Sequence, residues 1–212
     1  MYSGGHQVMV VIVTGGIGSG KSMVCRMIRD IYGFPVYEAD KRAKELYVRY
    51  PELLESIEKA LSCSVRDSGG NFQPRLLAER IFADADALAV VESLLFPFMM
   101  SDFREFAENS GNIIIFESAT VLEKPQFDGF GDKVVLVDAP RETRIERACA
   151  RDGISREAVL ARMDAQKLMN AVSEGAVCSR IDEIIMNDGS ADDLLEAVKG
   201  VMERLLAGNI KQ

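Results

Sequence analysis

The residues best suited to chemistry lie in Gly15-Gly16-Ile17-Gly18-Ser19-Gly20-Lys21-Ser22. They match G-x-x-x-x-G-K-[ST], a pattern that cradles phosphate. Glycines admit positive φ, so successive backbone N–H groups can turn inward around phosphate oxygens. A helix starting at Lys21 aims the positive end of its dipole at the same anion. Lys21 then reaches the β- and γ-phosphate oxygens, and the Ser22 hydroxyl ligates the Mg²⁺ that bridges them. Met23 either continues this nucleotide-facing run or packs the helix. A chance glycine-rich turn is the competing reading. The complete match, and the apolar run Val8–Thr14 ahead of it, argue for a nucleoside-triphosphate site. The motif alone does not separate kinases from GTPases or motor ATPases. The base-reading Asn-Lys-x-Asp of GTPases is absent, and Asp128-Gly129-Phe130-Gly131 precedes a strand and reads as a turn.

Two further groups have the right chemistry. Gly33–Asp40 is a second short strand ending in Glu38 and Asp40. In a parallel α/β sheet, ligands sit beyond the carboxyl ends of the strands, the edge the phosphate loop also occupies. Asp40 is placed either to take a proton from an acceptor hydroxyl or to cap the following helix. Arg144, Arg147 and Arg151 share one helical face at i, i+3 and i+7. They either neutralise transferring phosphate, Arg147 and Arg151 ahead of Arg144, or form a solvated stripe paired with Glu142, Glu146 and Asp152. Glu117 and Asp138 end later strands and are candidates for the metal side, Asp138 equally for a helix cap. Arg75 and Arg80 either meet an anionic substrate or pair with Glu79. The only histidine is His6, so zinc sites and Ser-His-Asp catalysis are disfavoured, and a carboxylate is the expected base.

Such residues need a scaffold. Strands are expected at Val8–Thr14, Pro35–Tyr37, Asn112–Glu117, Lys133–Val137 and Glu183–Met186, where runs such as Val-Ile-Val and Ile-Ile-Ile-Phe are apolar throughout, as in buried parallel strands. Helices are expected at Lys21–Ile31, Pro140–Arg151, Ser155–Ala171 and Ser190–Ala207. Between about Asp40 and Gly111 the periodicity is helical, with a turn at Ser68-Gly69-Gly70-Asn71. The expected architecture is a three-layer α/β fold with a five-stranded parallel sheet, a helical acceptor-binding insertion and a helical lid. One domain spans 8–212: core 8–40, 111–140 and 180–207, insertion about 41–110, lid about 141–172, with 1–7 disordered.

Composition narrows the classes. The chain has 212 residues, 25 Lys plus Arg against 33 Asp plus Glu, and a net charge of −8. That balance disfavours nucleic-acid and membrane-surface binding. No apolar run approaches the length of a membrane span, and no signal peptide is visible. Cys25, Cys63, Cys149 and Cys178 form no C-x-x-C pair, reading as free thiols in the cytoplasm. No obligatory protein partner is evident.

Thr14–Ser22 and the Ala39-Asp40 ending closely resemble the dephospho-CoA kinase family. Glu79–Asp84, Leu94-Leu95-Phe96-Pro97, Ser118–Glu123, Val137-Asp138, Arg147…Arg151-Asp152, Arg162…Gln166 and Ile184–Asn187 continue the likeness in order from about Val10 to Ala207. The resemblance implies a nucleoside-monophosphate-kinase-like fold and transfer of the γ-phosphoryl of ATP to the ribose 3′-hydroxyl of dephospho-CoA. It implies Asp40 as base, Lys21 and Ser22 as triphosphate and Mg²⁺ ligands, Arg147 and Arg151 as lid arginines, and Asn187 beside adenine. Glu38 replaces the family's usual Asp, Phe96 its histidine before Pro97, and Ala119-Thr120-Val121 its P-L-L. Rival readings are another small-metabolite kinase resembling shikimate kinase, and a nucleotide-binding switch without an acceptor.

Overall fold

The computed structural model describes residues 8–82 and 84–207; the disorder expected at 1–7, and His6, lie outside the described residues. The chain divides into two compact units, one drawn from the chain up to Tyr37 and from Ser110 onward, the other Glu38–Asn109.

The first unit is built on strands β1 (Met9–Thr14), β2 (Val36–Glu38), β3 (Ile113–Glu117), β4 (Lys133–Asp138) and β5 (Glu183–Met186), ordered β2-β3-β1-β4-β5. β1 runs parallel to β3 and β4, with Val13 opposite Glu117 and Val135, and β4 runs parallel to β5. Central β1 has every residue buried, which is why its sequence shows no polar alternation. On one face Val11, Val13, Ile115, Val135, Val137 and Ile185 pack against α1 (Lys21–Tyr32) and α9 (Ala191–Ala207). On the other, Phe116 stacks on Tyr37 at 5.3 Å between ring centroids and meets Phe127 and Phe130. This is the expected five-stranded α/β sheet.

The single helix expected at Ser155–Ala171 is two. After α6 (Arg141–Asp152), α7 (Arg156–Asp164) and α8 (Lys167–Ser173) are separated at Gln166. Ser155 caps α7 through the Ala158 N–H at 3.3 Å. The break carries no glycine or proline; its cause is that Gln166 is buried and turned to partners outside the helix, described below.

The second unit is helical: α2 (Ala39–Arg49), α3 (Pro51–Leu61), α4 (Pro74–Phe82) and α5 (Ala85–Glu108). α2, α3 and α4 all pack against α5, burying Leu46, Leu53, Ile57, Leu77, Val91, Leu95 and Phe103. Asp84 caps α5 by accepting from the Asp86 and Ala87 N–H groups. The expected turn at Ser68–Asn71 is wrapped around Asp67, whose carboxylate accepts from the Gly69 and Asn71 N–H groups at 2.9 Å each.

Glu58 ties α3 to the segment that follows it, accepting from the Val65 N–H (2.9 Å), Ser64 Oγ (2.9 Å) and Arg66 Nε (3.1 Å). Burial pushes its carboxyl up, but the Val65, Arg66 and Ser64 donors together outweigh that and hold it below the ordinary 4.5. A lowered carboxyl contributes stability that is present above the unfolded value and lost as pH falls through the folded one. Glu58→Gln is therefore expected to cost about 1 kcal/mol at pH 7, with the penalty shrinking below pH 4.5. Thermal melts of both proteins at pH 7, 4 and 3 measure this; a penalty constant across that range would contradict it.

Candidate active site

β1 delivers the chain to Thr14, and α1 begins at Lys21, so the loop between them is anchored by a buried strand and a buried helix face. Gly20 takes the N-cap position of α1 with φ +99°. Gly18 has φ +76°, and a Cβ there would collide with the backbone carbonyl of Arg144. No L side chain satisfies both demands, which is the local reason for the glycine.

Within the loop the Ser19 N–H bonds the Gly16 carbonyl at 3.2 Å, and Lys21 Nζ folds back on the Gly15 carbonyl at 2.9 Å. Ser22 Oγ donates to Glu117 Oε1 at 2.8 Å, joining the start of α1 to the end of β3. Met23 is exposed on α1. Among the described residues, the buried side-chain atoms found without a hydrogen-bond partner are Thr14 Oγ1, Ser19 Oγ and Arg144 Nη2. All three belong to or touch this loop. Unsatisfied buried polar atoms are costly, and their concentration here marks a site built for a polar ligand.

Three side chains distant in sequence hold the loop. Asn187 Nδ2 donates to the Ser19 carbonyl at 2.8 Å, and Gln166 Oε1 accepts the Ile17 N–H at 2.8 Å. Arg144 Nε donates to the Ile17 carbonyl at 3.2 Å. Asn187, which the resemblance places beside adenine, lies with its amide against Ser19 and Gly20. Neither Gln166 nor Arg144 was singled out as a holder of the loop.

The three arginines of the stripe sit at different depths. Arg144 is 1% exposed and lies against the loop. Arg147 Nη1 donates to the Asn187 carbonyl at 3.1 Å. Arg151 points to solvent in a bidentate pair with Asp152 (2.7 and 3.0 Å), the partner foreseen in the stripe reading. In the helical unit, Arg75 pairs with Glu79 at 2.7 Å and Arg80 with Asp84 at 2.8 Å. Asp40 is exposed in the first turn of α2; the N-cap is Glu38, so the capping alternative for Asp40 does not hold.

A glycine-shaped phosphate loop on the central strand of a parallel sheet, with a lysine and a hydroxyl at the following helix start, defines a P-loop nucleotide-binding protein. The dephospho-CoA kinase family model matches residues 9–193. A dephospho-CoA kinase of Chlorobaculum tepidum is 34% identical over 205 residues, spanning 93% of this chain and 95% of that protein. A Thermus thermophilus crystal structure superposes with a TM-score of 0.79 at 30% identity, over 94% of this chain and 98% of that one. A shikimate kinase of Acinetobacter baumannii shares the fold alone, with a TM-score of 0.55 at 13% identity over 97% of each chain. The chain belongs to the dephospho-CoA kinase family and is an ATP-dependent kinase. The shikimate-kinase-like and switch readings are not favoured.

The Gly18 geometry yields a paired expectation. Gly18→Ala forces a Cβ into the Arg144 carbonyl and is expected to weaken ADP binding by roughly 100-fold or more. Gly153→Ala, at φ +64° with open space around it, is expected to cost about 1 kcal/mol of stability and leave ADP affinity unchanged. Calorimetric titration of both variants checks the contrast.

Proposed function

We propose that this chain transfers the γ-phosphoryl group of ATP to the ribose 3′-hydroxyl of dephospho-CoA, giving coenzyme A and ADP. The observation that carries this reading is the phosphate loop, ringed by unsatisfied buried polar atoms, in a chain of this family. Such transfer needs little covalent help from the protein; it needs positioning and neutralisation of charge on the phosphoryl oxygens. The loop amides and Lys21 take the β- and γ-phosphates, Lys21 exchanging the Gly15 carbonyl for them. Arg147 and Arg151 add positive charge, Arg151 by leaving Asp152.

Mg²⁺ fits the oxygen pair at the start of α1. Ser22 Oγ and Glu117 Oε1 lie 2.8 Å apart, and an ion that keeps most of its ligands as water and phosphate asks the protein for only one or two oxygens. Ser22 would hold it with Glu117 alongside, and the ion would neutralise charge across the β- and γ-phosphates.

Asp40 is the proposed base for the acceptor hydroxyl. It lies two residues beyond the end of β2, is exposed, and is not spent as a helix cap. Arg75 and Arg80 bind the acceptor's pyrophosphate by exchanging Glu79 and Asp84 for it. The free thiols at Cys25, Cys63, Cys149 and Cys178 suit the reducing cytoplasm as the working compartment. No described helix is long and apolar enough to cross a membrane.

Incubating the protein with ATP, Mg²⁺ and separate dephospho-CoA, shikimate and nucleoside monophosphates tests the substrate. Mass spectrometry is expected to show one added phosphoryl group on dephospho-CoA; none there would refute the reading. Asp40→Asn is expected to lower kcat by about 10²- to 10⁴-fold with ADP affinity retained. Unchanged turnover would remove Asp40 from the mechanism.

A further inference from the structure

Arg144 is a charged side chain in an unusual place. It sits in the first turns of α6 at 1% exposure, and each part of it meets the phosphate loop or its support. Its Nε donates to the Ile17 carbonyl at 3.2 Å, and its Nη1 donates to Asp138 Oδ1 at 3.3 Å and Ser173 Oγ at 3.0 Å. A Cβ on Gly16 would strike its guanidinium, and one on Gly18 its backbone. One residue therefore backs three consecutive positions of the loop. Its Nη2 is buried with no acceptor, so hydrogen-bond satisfaction of the fold does not account for the placement. Burial lowers the guanidinium's proton affinity and Asp138 raises it again; an arginine keeps its charge under such opposition.

The consequence follows from peptide geometry. A trans peptide directs its C=O and the next N–H to opposite sides. With the Ile17 carbonyl held on Arg144 Nε, the Gly18 N–H is turned away from that guanidinium. The neighbouring Ile17 N–H is withdrawn by Gln166 at 2.8 Å, so the loop distinguishes an amide kept for the protein from one kept for a ligand.

We infer that Arg144 is a positioning residue for phosphoryl transfer, which holds the Ile17 carbonyl so that the Gly18 N–H faces the nucleotide's phosphates and which sets a fixed positive charge behind them. This rests on the nucleotide reading of the loop given above. Arg144 touches no reacting atom; it acts through the loop.

The variants that test it are Arg144→Met, which keeps bulk and loses donors and charge, and Arg144→Lys, which keeps charge and one donor. For each, the thermal melt, the Kd of ADP, and kcat with separate KM values for ATP and dephospho-CoA are measured. Arg144→Met is expected to weaken ADP binding and lower kcat, each by about 10- to 100-fold, the loss of a charge-assisted hydrogen bond, with the dephospho-CoA KM within about twofold of wild type. Arg144→Lys is expected to recover ADP affinity to within about threefold while kcat stays about 3- to 10-fold low, because one ammonium cannot hold Ile17, Asp138 and Ser173 together. Arg144→Met melting cooperatively with ADP affinity and kcat unchanged would overturn the inference. So would ADP affinity and dephospho-CoA KM worsening together in step with lost thermal stability, the mark of a merely structural residue. If Arg144→Met does not fold, Arg144→Lys decides alone, and a lysine enzyme equal to wild type in kcat overturns the inference. Wild-type protein that binds no ADP would instead refute the nucleotide reading on which the inference stands.

Discussion

The carbonyls of a phosphate loop must be held by something, and what holds them decides where the amides between them aim. Here the Ile17 carbonyl is taken by Arg144 and the Ser19 carbonyl by Asn187. Both partners reach the loop from the side of α6 and the end of β5. Phosphate binding through backbone amides needs no charge on the loop itself, but it needs those amides set before the ligand arrives. The glycines permit the conformation; they do not choose it. The choice is made by side chains 127 and 168 residues away.

The sheet makes that distant control possible. β1 carries the loop, β4 lies beside it and β5 beside β4, all parallel and in register, so their last residues open on the same edge. The buried residues of β1 and β4 fix this register, because a slip by one residue would exchange the two faces along each strand. A rigid strand end is a better base for a positioning group than a long loop. Arg147 follows the same plan, holding the Asn187 carbonyl while Asn187 holds Ser19.

The phosphate loop, the strands and the helical insertion were legible in the sequence because each is a local pattern: a glycine-rich motif, an apolar run, a helical period. What holds the loop was not. Gln166 follows an ordinary helical stretch, and nothing in its neighbours tells that it leaves the helix to accept the Ile17 N–H and to face the Ala119 carbonyl at 3.5 Å. That long-range pairing also breaks the helix expected at Ser155–Ala171. The arginine stripe shows a related limit. Spacing puts Arg144, Arg147 and Arg151 on one face but gives no depth, and α6 runs from the loop outward. Arg144 is buried against the loop, Arg147 is half-buried, and Arg151 in the last turn meets Asp152 in solvent. Glu38 taking the cap position of α2 was equally invisible, since that helix starts two residues earlier than a cap at Asp40 would give.

Asp138 joins these threads. Sequence position offered it a metal-bound water or a helix cap. In the structure its carboxylate pairs with Arg144 and its backbone carbonyl accepts the Asn187 N–H at 2.7 Å. A single residue at the end of a central strand thus supports both groups that hold the loop, one through its side chain and one through its backbone. Its negative charge also answers a difficulty posed by the composition. An acidic chain that must bind a polyphosphate needs its positive charge local and fixed, and a buried arginine without a partner would be too costly to keep. Pairing Arg144 with the Asp138 carboxylate lets the guanidinium remain charged where it lies against the loop. The surplus acidic groups on the exterior then oppose binding only through water, which screens them.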